Sequence, residues 1–161
     1  MLTTLTSVVR RTRQHHAIEH ATLHLLAERF PGWSMGGLSD PGGFTLAANV
    51  PEESVRRAVG DAMLRLQAGE SGLAIHPNCG TNLAATSLLL ATAATVAGTR
   101  RHWSDRFLLA LALVLPIVLY APLIGRYLQG YTTLATVGDR WITNIRPINV
   151  AGAPGYRVTF E

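Results

Sequence analysis

Apolar and polar positions alternate with different periods along the chain. In residues 14–30 the apolar side chains recur at helical spacing on one face, and Pro31-Gly32 ends the pattern. Residues 33–50 contain two short apolar runs on either side of the sequence SDPGG, which predicts a β-hairpin. The N-terminal region is therefore expected to begin with a helix followed by two antiparallel strands.

The later segments predict one more helix and further extended structure. Pro51 opens a second amphipathic helical pattern, which Gly69 ends. Residues 73–76 predict a short extended piece, and residues 139–150 and 155–161 predict two strands around a turn. The predicted fold class is α+β, with an α-β-β-α part and a C-terminal β-hairpin.

Charged residues are absent from two long stretches, residues 80–99 and 107–125. Each is close to the ~20 residues with which an α-helix crosses the ~30 Å hydrocarbon core of a bilayer. The residues between them, 100–106, read RRHWSDR, a polar turn with an interfacial tryptophan. We therefore expect a transmembrane helical hairpin surrounded by the lipid bilayer; the alternative is a helical hairpin buried inside a soluble protein.

The two predicted spans differ in composition. The span 107–125 is rich in leucine and suits lipid, although Pro116 is expected to kink it. The span 80–99 is rich in alanine and threonine, and Ala94 and Gly98 allow close approach of a neighbouring helix. We expect this helix to pack against its hairpin partner or to form a homo-oligomer with a second copy of the chain.

These boundaries predict three segments. Residues 1–79 form an N-terminal α+β part, residues 80–125 form the hairpin, and residues 126–161 form a β-rich segment that completes the same domain. The sequence MLTTLTSVVRRTR carries its basic cluster after its apolar residues, the reverse of a signal peptide, so the hairpin is the expected anchor.

The sequence signals for the orientation of the protein in the membrane disagree. The positive-inside rule places the arginine-containing loop 100–106 in the cytoplasm. The basic cluster of Arg10, Arg11 and Arg13 resists export of the N-terminal segment. We favour a multi-pass protein of the bacterial cell membrane whose globular part is cytoplasmic.

Composition narrows the function classes. Of 161 residues, 48% are apolar and 15% are charged, against about 25% charged in a soluble domain. A single cysteine excludes a disulfide framework. The net charge is +4, but the arginines are scattered in short clusters, so no nucleic-acid partner is expected.

Five of the six histidines lie at two places. On a helix, His16, His20 and His24 form one stripe, because their i, i+4, i+8 spacing keeps them within about 80° of arc. His76 lies in the sequence HPNCG directly before the first predicted span, three residues before Cys79. This distribution predicts a metal site that joins the two segments.

The sequence HAIEH over residues 16–20 has the pattern H-x-x-E-H, the reversed zincin arrangement. Its two imidazoles can bind one zinc ion, and Glu19 can act as general base on a water whose pKa zinc lowers to about 7. His76 and Cys79 are the candidates to complete the ligand shell. His24 is an alternative ligand or an orienting residue.

The first predicted span begins just after Cys79, because Thr81 or Asn82 can cap it. Its N-terminal amides would point toward the metal and could stabilise an oxyanion. Such a site would lie at the membrane surface.

The number of protein ligands on the metal distinguishes the possible functions. Three ligands leave a position for water and define a zinc-dependent hydrolase of the peptidase or amidase type. Four ligands close the site and define a non-catalytic membrane module with a structural metal. A third reading is a metal- or haem-handling protein with His20 or His24 as an axial ligand.

The sequences HHAIEHATLHLL, SDPGGF and LAIHPNCGTN, followed by the apolar hairpin, resemble a family of small bacterial membrane proteins catalogued as a domain of unknown function. The resemblance covers roughly residues 14–125, and a second uncharacterised family with an HP-x-CGT loop is more distantly similar. True inverted zincins share only the pattern at 16–20, because their downstream glutamate ligand has no counterpart here. The family resemblance implies an integral membrane protein with a metal site at His16, Glu19, His20, His76 and Cys79.

Overall fold

The computed structural model describes residues 2–77 and 79–161. In chain order the elements are α1 (Leu2–Arg29), β1 (Gly36–Asp40), β2 (Gly43–Ala47), α2 (Glu52–Gln67), a 3-10 turn (Ser71–Ala74), α3 (Gly80–Gly98), α4 (Trp103–Thr132), β3 (Ile142–Val150) and β4 (Ala153–Phe160). The α+β fold class predicted from the sequence is confirmed.

The chain divides into two compact units, one formed by Met1–His76 with Thr132–Glu161 and the other by Pro77–Tyr131. In the first unit, four strands form one antiparallel sheet in the order β1-β2-β4-β3. The C-terminal hairpin therefore completes the sheet that the N-terminal hairpin begins, although the second unit separates them in sequence.

Both β-hairpins close through two-residue turns. Ala151 and Gly152 connect β3 to β4 with φ values of 50° and 89°, the left-handed backbone that such a turn requires. In the first hairpin, Asp40 Oδ1 accepts a hydrogen bond of 2.8 Å from the Gly42 amide. Both side-chain oxygens of Asp40 also accept hydrogen bonds from the Arg157 guanidinium on β4, at 2.6 and 2.8 Å. Asp40 therefore connects the turn to the sheet.

The core of the first unit lies among α1, α2 and the sheet. Periodic apolar residues of the two helices meet alternate residues of β2 and β4, as expected for half-buried elements. The completely buried members include Ala17, Ile18, Ala21, Phe44, Leu46, Val55, Val59 and Val158. This packing fixes the rotation of α1 about its axis, and with it the directions of its remaining side chains.

Several predicted boundaries change in the structure. Helix α1 begins at residue 2 rather than 14, because residues 2–13 contain no glycine or proline to interrupt it. Helix α4 extends beyond the uncharged stretch 107–125 at both ends and contains Pro116 and Pro122. Charged residues end a hydrophobic segment without ending a helix, so the charge pattern predicted the apolar part of α4 but not its full length.

Two local predictions are wrong. The extended segment predicted at 73–76 is replaced in part by the 3-10 turn Ser71–Ala74, and Ile75 after that turn has extended backbone. The N-cap of α3 is Cys79 rather than Thr81 or Asn82, because the Cys79 thiol accepts a 3.4 Å hydrogen bond from the Thr81 amide.

Helices α3 and α4 are long and apolar enough to cross a membrane, by length and composition. In the most apolar 18 residues of α3 only 11% of the residues are buried, and in the most apolar 18 residues of α4 none is buried. Leucines such as Leu111, Leu115 and Leu119 are more than half exposed. By these criteria both helices are candidate membrane spans, and their apolar side chains are exposed in the single chain.

Candidate metal centre

The predicted histidine stripe on α1 brings two imidazoles together. The rings of His16 and His20 have centroids 4.3 Å apart. One ring nitrogen of each lies within 4.8 Å of one of the other. Two zinc–nitrogen bonds of about 2.0–2.1 Å hold tetrahedral ligand atoms about 3.4 Å apart. Small rotations of the rings would therefore place both nitrogens on one ion.

Backbone carbonyls orient both rings. Nδ1 of His16 donates to the carbonyl oxygen of Thr132 at 3.1 Å, and Nδ1 of His20 donates to that of Ala74 at 2.7 Å. A carbonyl oxygen can only accept, so Nδ1 carries the proton in both rings and the lone pair of the neutral ring is on Nε2. Metal-ligating histidines are commonly oriented by a hydrogen bond of this kind.

Distant segments supply these carbonyls. Ala74 is the last residue of the 3-10 turn, and Thr132 is the last residue of α4, where the segment 132–134 begins. That segment is held by α1, because the Leu134 amide donates to the Arg13 carbonyl at 2.9 Å and the Arg13 guanidinium donates to the Thr133 carbonyl at 3.1 Å. No sequence motif marks either carbonyl, so sequence reasoning missed them.

His24 and His76 extend the group. Nε2 of His24 donates to the Ile75 carbonyl at 2.8 Å. The His76 ring lies 4.7 Å from that of His24 and 5.7 Å from that of His20, between centroids. Burial, followed by the charges of His24 and His20, lowers the pKa of His76 to about 4, so His76 is neutral at physiological pH. We call His16, His20, His24 and His76 the histidine cluster; all four belong to the first unit.

Cys79 belongs to the second unit, which begins at Pro77, and it follows His76 by three residues in the chain. It is buried, with 4% of its surface exposed, and its thiol faces the amide of Thr81 in the first turn of α3. Amides at a helix N-terminus stabilise a thiolate, the form of cysteine that binds metals. The residue therefore has the local environment of a potential ligand.

Glu19 lies on the adjacent face of α1, against strand β1. Its side chain is 3% exposed, and the hydroxyl of Ser39 donates a hydrogen bond to its Oε2. Gly37 provides the space, because a Cβ at that position would overlap the Glu19 side chain. Neither Ser39 nor Gly37 was predicted to contact Glu19, and the glycine pair Gly36-Gly37 inside a predicted strand was the available signal.

His15 belongs to the core rather than to the histidine cluster. It is completely buried, its Nδ1 donates to the Asp40 carbonyl at 2.8 Å, and its ring stacks on Phe160 at 4.9 Å. Burial lowers the pKa of His15, which favours the neutral ring. Its four-residue spacing from Glu19 places both on the face of α1 that meets the sheet.

Together, the fold and this cluster define a small α+β protein whose sequence carries two apolar helices between the two halves of a sheet. The chain belongs to the family described as a domain of unknown function (DUF6391), whose model matches residues 11–145. It is 46% identical over 88 residues to an uncharacterized protein from Picosynechococcus sp., a match covering 49% of this chain and 43% of that protein. The chain thus spans less than half the length of this curated relative. No solved structure matches the chain.

Proposed function

We propose that the protein is a zinc-dependent hydrolase of the cell membrane, with His16, His20 and Cys79 as the zinc ligands. The observation that carries this proposal is the pair of hydrogen bonds from Nδ1 of His16 and His20 to backbone carbonyls. Those bonds put the proton of both rings on Nδ1, which is the tautomer of a histidine that ligates a metal through Nε2. A nitrogen and sulfur donor set is also the set that zinc prefers.

The chain itself supports the assignment of Cys79. His76 lies beside His20, and only three peptide links separate His76 from Cys79. Because consecutive Cα atoms are about 3.8 Å apart, the two Cα atoms can be separated by no more than about 11 Å. Cys79 is therefore tethered to the histidine cluster and is the single thiol in the chain.

In the proposed reaction, Glu19 transfers a proton and Ser39 orients the Glu19 carboxylate. Zinc held by His16, His20 and Cys79 would supply Lewis acidity and would lower the pKa of water to about 7. The Glu19 carboxylate, adjacent to His20 in the sequence, accepts the proton of the attacking water and passes it to the leaving amine of an amide or peptide substrate. The Ser39 hydroxyl, which donates to Glu19 Oε2, holds that carboxylate in one orientation.

The membrane location is supported by aromatic side chains at both ends of α4. Trp103 is 78% exposed and Tyr127, 24 residues later, is 68% exposed. At 1.5 Å per residue they are about 36 Å apart along the helix, close to the span between the two interfaces of a bilayer. Arg106 and Arg126 flank the uncharged residues 107–125 between them. In this proposal α3 and α4 both cross the membrane, and the first unit is cytoplasmic.

Metal analysis of the purified protein tests the ligand assignment. We expect one zinc ion per chain, lost in both His20→Ala and Cys79→Ala. His102→Ala is the matched control, because His102 lies in the short connection between α3 and α4 and is the one histidine outside the two histidine-bearing segments. Full zinc content in both ligand variants would contradict the site.

Glu19→Gln tests the proposed catalysis. The variant is expected to retain zinc and to lose zinc-dependent cleavage of fluorogenic peptides and amides by the detergent-solubilised protein. If Glu19→Gln instead loses zinc, Glu19 is a ligand and its assignment as general base is wrong.

A structural metal site in a non-catalytic membrane module is the second candidate. The observation that favours it is the burial of Glu19 and its bond to Ser39, because a general base must reach the attacking water. In this function His76 is the fourth ligand beside His16, His20 and Cys79, and the shell is closed. X-ray absorption spectroscopy of the zinc-loaded protein separates the candidates: four protein ligands indicate the module, and three with one water indicate the hydrolase.

A further inference from the structure

Asn82 connects two segments of the second unit. It lies in the first turn of α3, within the sequence HPNCGTN. Its Nδ2 donates to the carbonyl oxygen of Pro77 at 2.9 Å, and its Oδ1 accepts from Nε2 of Gln129 on α4 at 2.8 Å. One side-chain amide therefore holds both the loop that precedes α3 and the neighbouring helix.

Helix α4 is shaped to receive this amide. Gln129 is completely buried, and Gly125 lies one turn earlier on the same face. A Cβ at position 125 would overlap the Asn82 side chain, so the amide fits only because residue 125 is glycine. A buried amide is costly unless it is hydrogen-bonded, and within apolar helices such a bond holds the helices together.

The loop closed by Asn82 carries Cys79. The backbone N–H of Asn82 donates to the Cys79 carbonyl oxygen at 2.9 Å, and the backbone N–H of Leu83 donates to the same oxygen at 3.2 Å. The Thr81 amide donates to the Cys79 thiol at 3.4 Å. With the side-chain bond to Pro77, these contacts fix the loop on both sides of Cys79, so the direction of the thiol depends on Asn82.

We propose that Asn82 is a positioning residue for the metal site, and that Gln129 and Gly125 hold it in place. The inference rests on the proposed function, because it concerns the thiolate that the metal would bind. It adds that the packing of α4 against the start of α3 sets the metal affinity of Cys79. Partners that orient metal ligands typically contribute about 10- to 100-fold to affinity.

Cobalt(II) titration of the full chain in detergent provides the test. A cobalt–thiolate bond has a charge-transfer absorption in the near ultraviolet, which reports on Cys79 itself and not on the stability of the fold. The wild type is expected to show this band, and Cys79→Ala is expected to lack it.

Asn82→Asp separates the two bonds of the amide. It keeps the acceptor for Gln129 but replaces the donor to Pro77 with a second oxygen. We expect cobalt binding to weaken about 10- to 100-fold, with a weaker thiolate band. Gln129→Leu, which removes the donor to Asn82 Oδ1, is expected to act in the same direction and gives a second measurement if Asn82→Asp does not fold.

Two glycines of α4 form a matched pair. Gly125→Ala is expected to reproduce the loss of cobalt affinity, because the new methyl group displaces the amide. Gly130→Ala on the same helix is the control, since a Cβ there would meet no described atom within 4 Å.

The outcomes distinguish the two proposals. If the wild type shows no cobalt–thiolate band, the assignment of Cys79 as a ligand is wrong and the role of Asn82 fails with it. If the wild type shows the band and folded Asn82→Asp, Gln129→Leu and Gly125→Ala bind cobalt as the wild type does, the metal site stands and the positioning role is overturned.

Discussion

Glu19 occupies the space that a side chain at Gly37 would fill. The overlap would involve the carboxylate and the methylene next to it, so strand β1 can pass this point of α1 only without a Cβ. The hydroxyl of Ser39, two residues further along β1, donates to the same carboxylate. The glutamate of the H-x-x-E-H pattern is therefore held by a strand that the motif does not include.

Gly37→Ala is expected to destabilise the first unit. The added methyl group must displace the buried Glu19 side chain, and overpacking of this kind costs about 1–3 kcal/mol. The measurement is the free energy of unfolding of the first unit. It is obtained by chemical denaturation, followed through the tryptophan signal of that unit. Gly36→Ala is the control, because a Cβ at that position would meet no described atom within 4 Å; equal destabilisation by both substitutions would contradict the packing argument.

Leu115→Arg is expected to prevent stable membrane insertion. Leu115 lies near the middle of α4 and is 56% exposed, and an arginine at the centre of a spanning helix costs about 2.5–3.5 kcal/mol on insertion. Leu64→Arg on α2 is the matched control, because Leu64 is 66% exposed in the first unit. After alkaline extraction of membranes, the Leu115→Arg protein should leave the pellet and the Leu64→Arg protein should remain there. Identical behaviour of the two variants would argue that α4 does not cross a bilayer.

His24→Ala is expected to weaken zinc binding without abolishing it. His24 donates to the Ile75 carbonyl and contacts the ring of His76, so it orients the segment that carries a candidate ligand. Removing such a partner should lower the zinc affinity about 10- to 100-fold while the saturated stoichiometry stays at one ion. Competition with a zinc chelator measures this change. Loss of stoichiometric zinc would make His24 a ligand.

Asp40→Asn is expected to reduce stability at neutral pH and to flatten its decline in acid. The hydrogen bonds from Arg157 lower the pKa of Asp40 below its ordinary value of 3.8. A lowered folded-state pKa contributes stability that is fully present above pH 3.8 and is lost as the pH falls through the folded pKa. Because Asp40 is 47% exposed, solvent screening limits the effect to less than about 1 kcal/mol.

A double-mutant cycle checks that this effect belongs to the ion pair. Arg157→Gln should cause a similar loss, and the double variant should lose less than the sum of the two. Additive losses measured by denaturation at pH 7 would show that the two residues act independently.

The elements with strong local signals were predictable. The structure contains α2 directly after Pro51, the SDPGG turn between β1 and β2, and helices over the two uncharged stretches. Each of these features depends on residues that are neighbours in sequence. The start of α1 was not predictable from its apolar pattern, because the described side chains of residues 4–13 lie outside the core and show no buried stripe.

The site was predictable only in part. The spacing of His16 and His20 brings two imidazoles onto one face of any α-helix, whatever surrounds it. Their tautomers depend on the carbonyls of Thr132 and Ala74, which are distant in sequence and have no side-chain signature.

The sequence by itself therefore determined the family, the α+β class, the two apolar helices and the histidine stripe, because each follows from residue types at short spacing. The tertiary structure alone decided which ring nitrogens of His16 and His20 donate to backbone carbonyls, that Glu19 packs between Ser39 and Gly37, and that His15 lies in the core. Those outcomes depend on how α1 is rotated against the sheet. That rotation is set by the packing of side chains brought together from both ends of the chain.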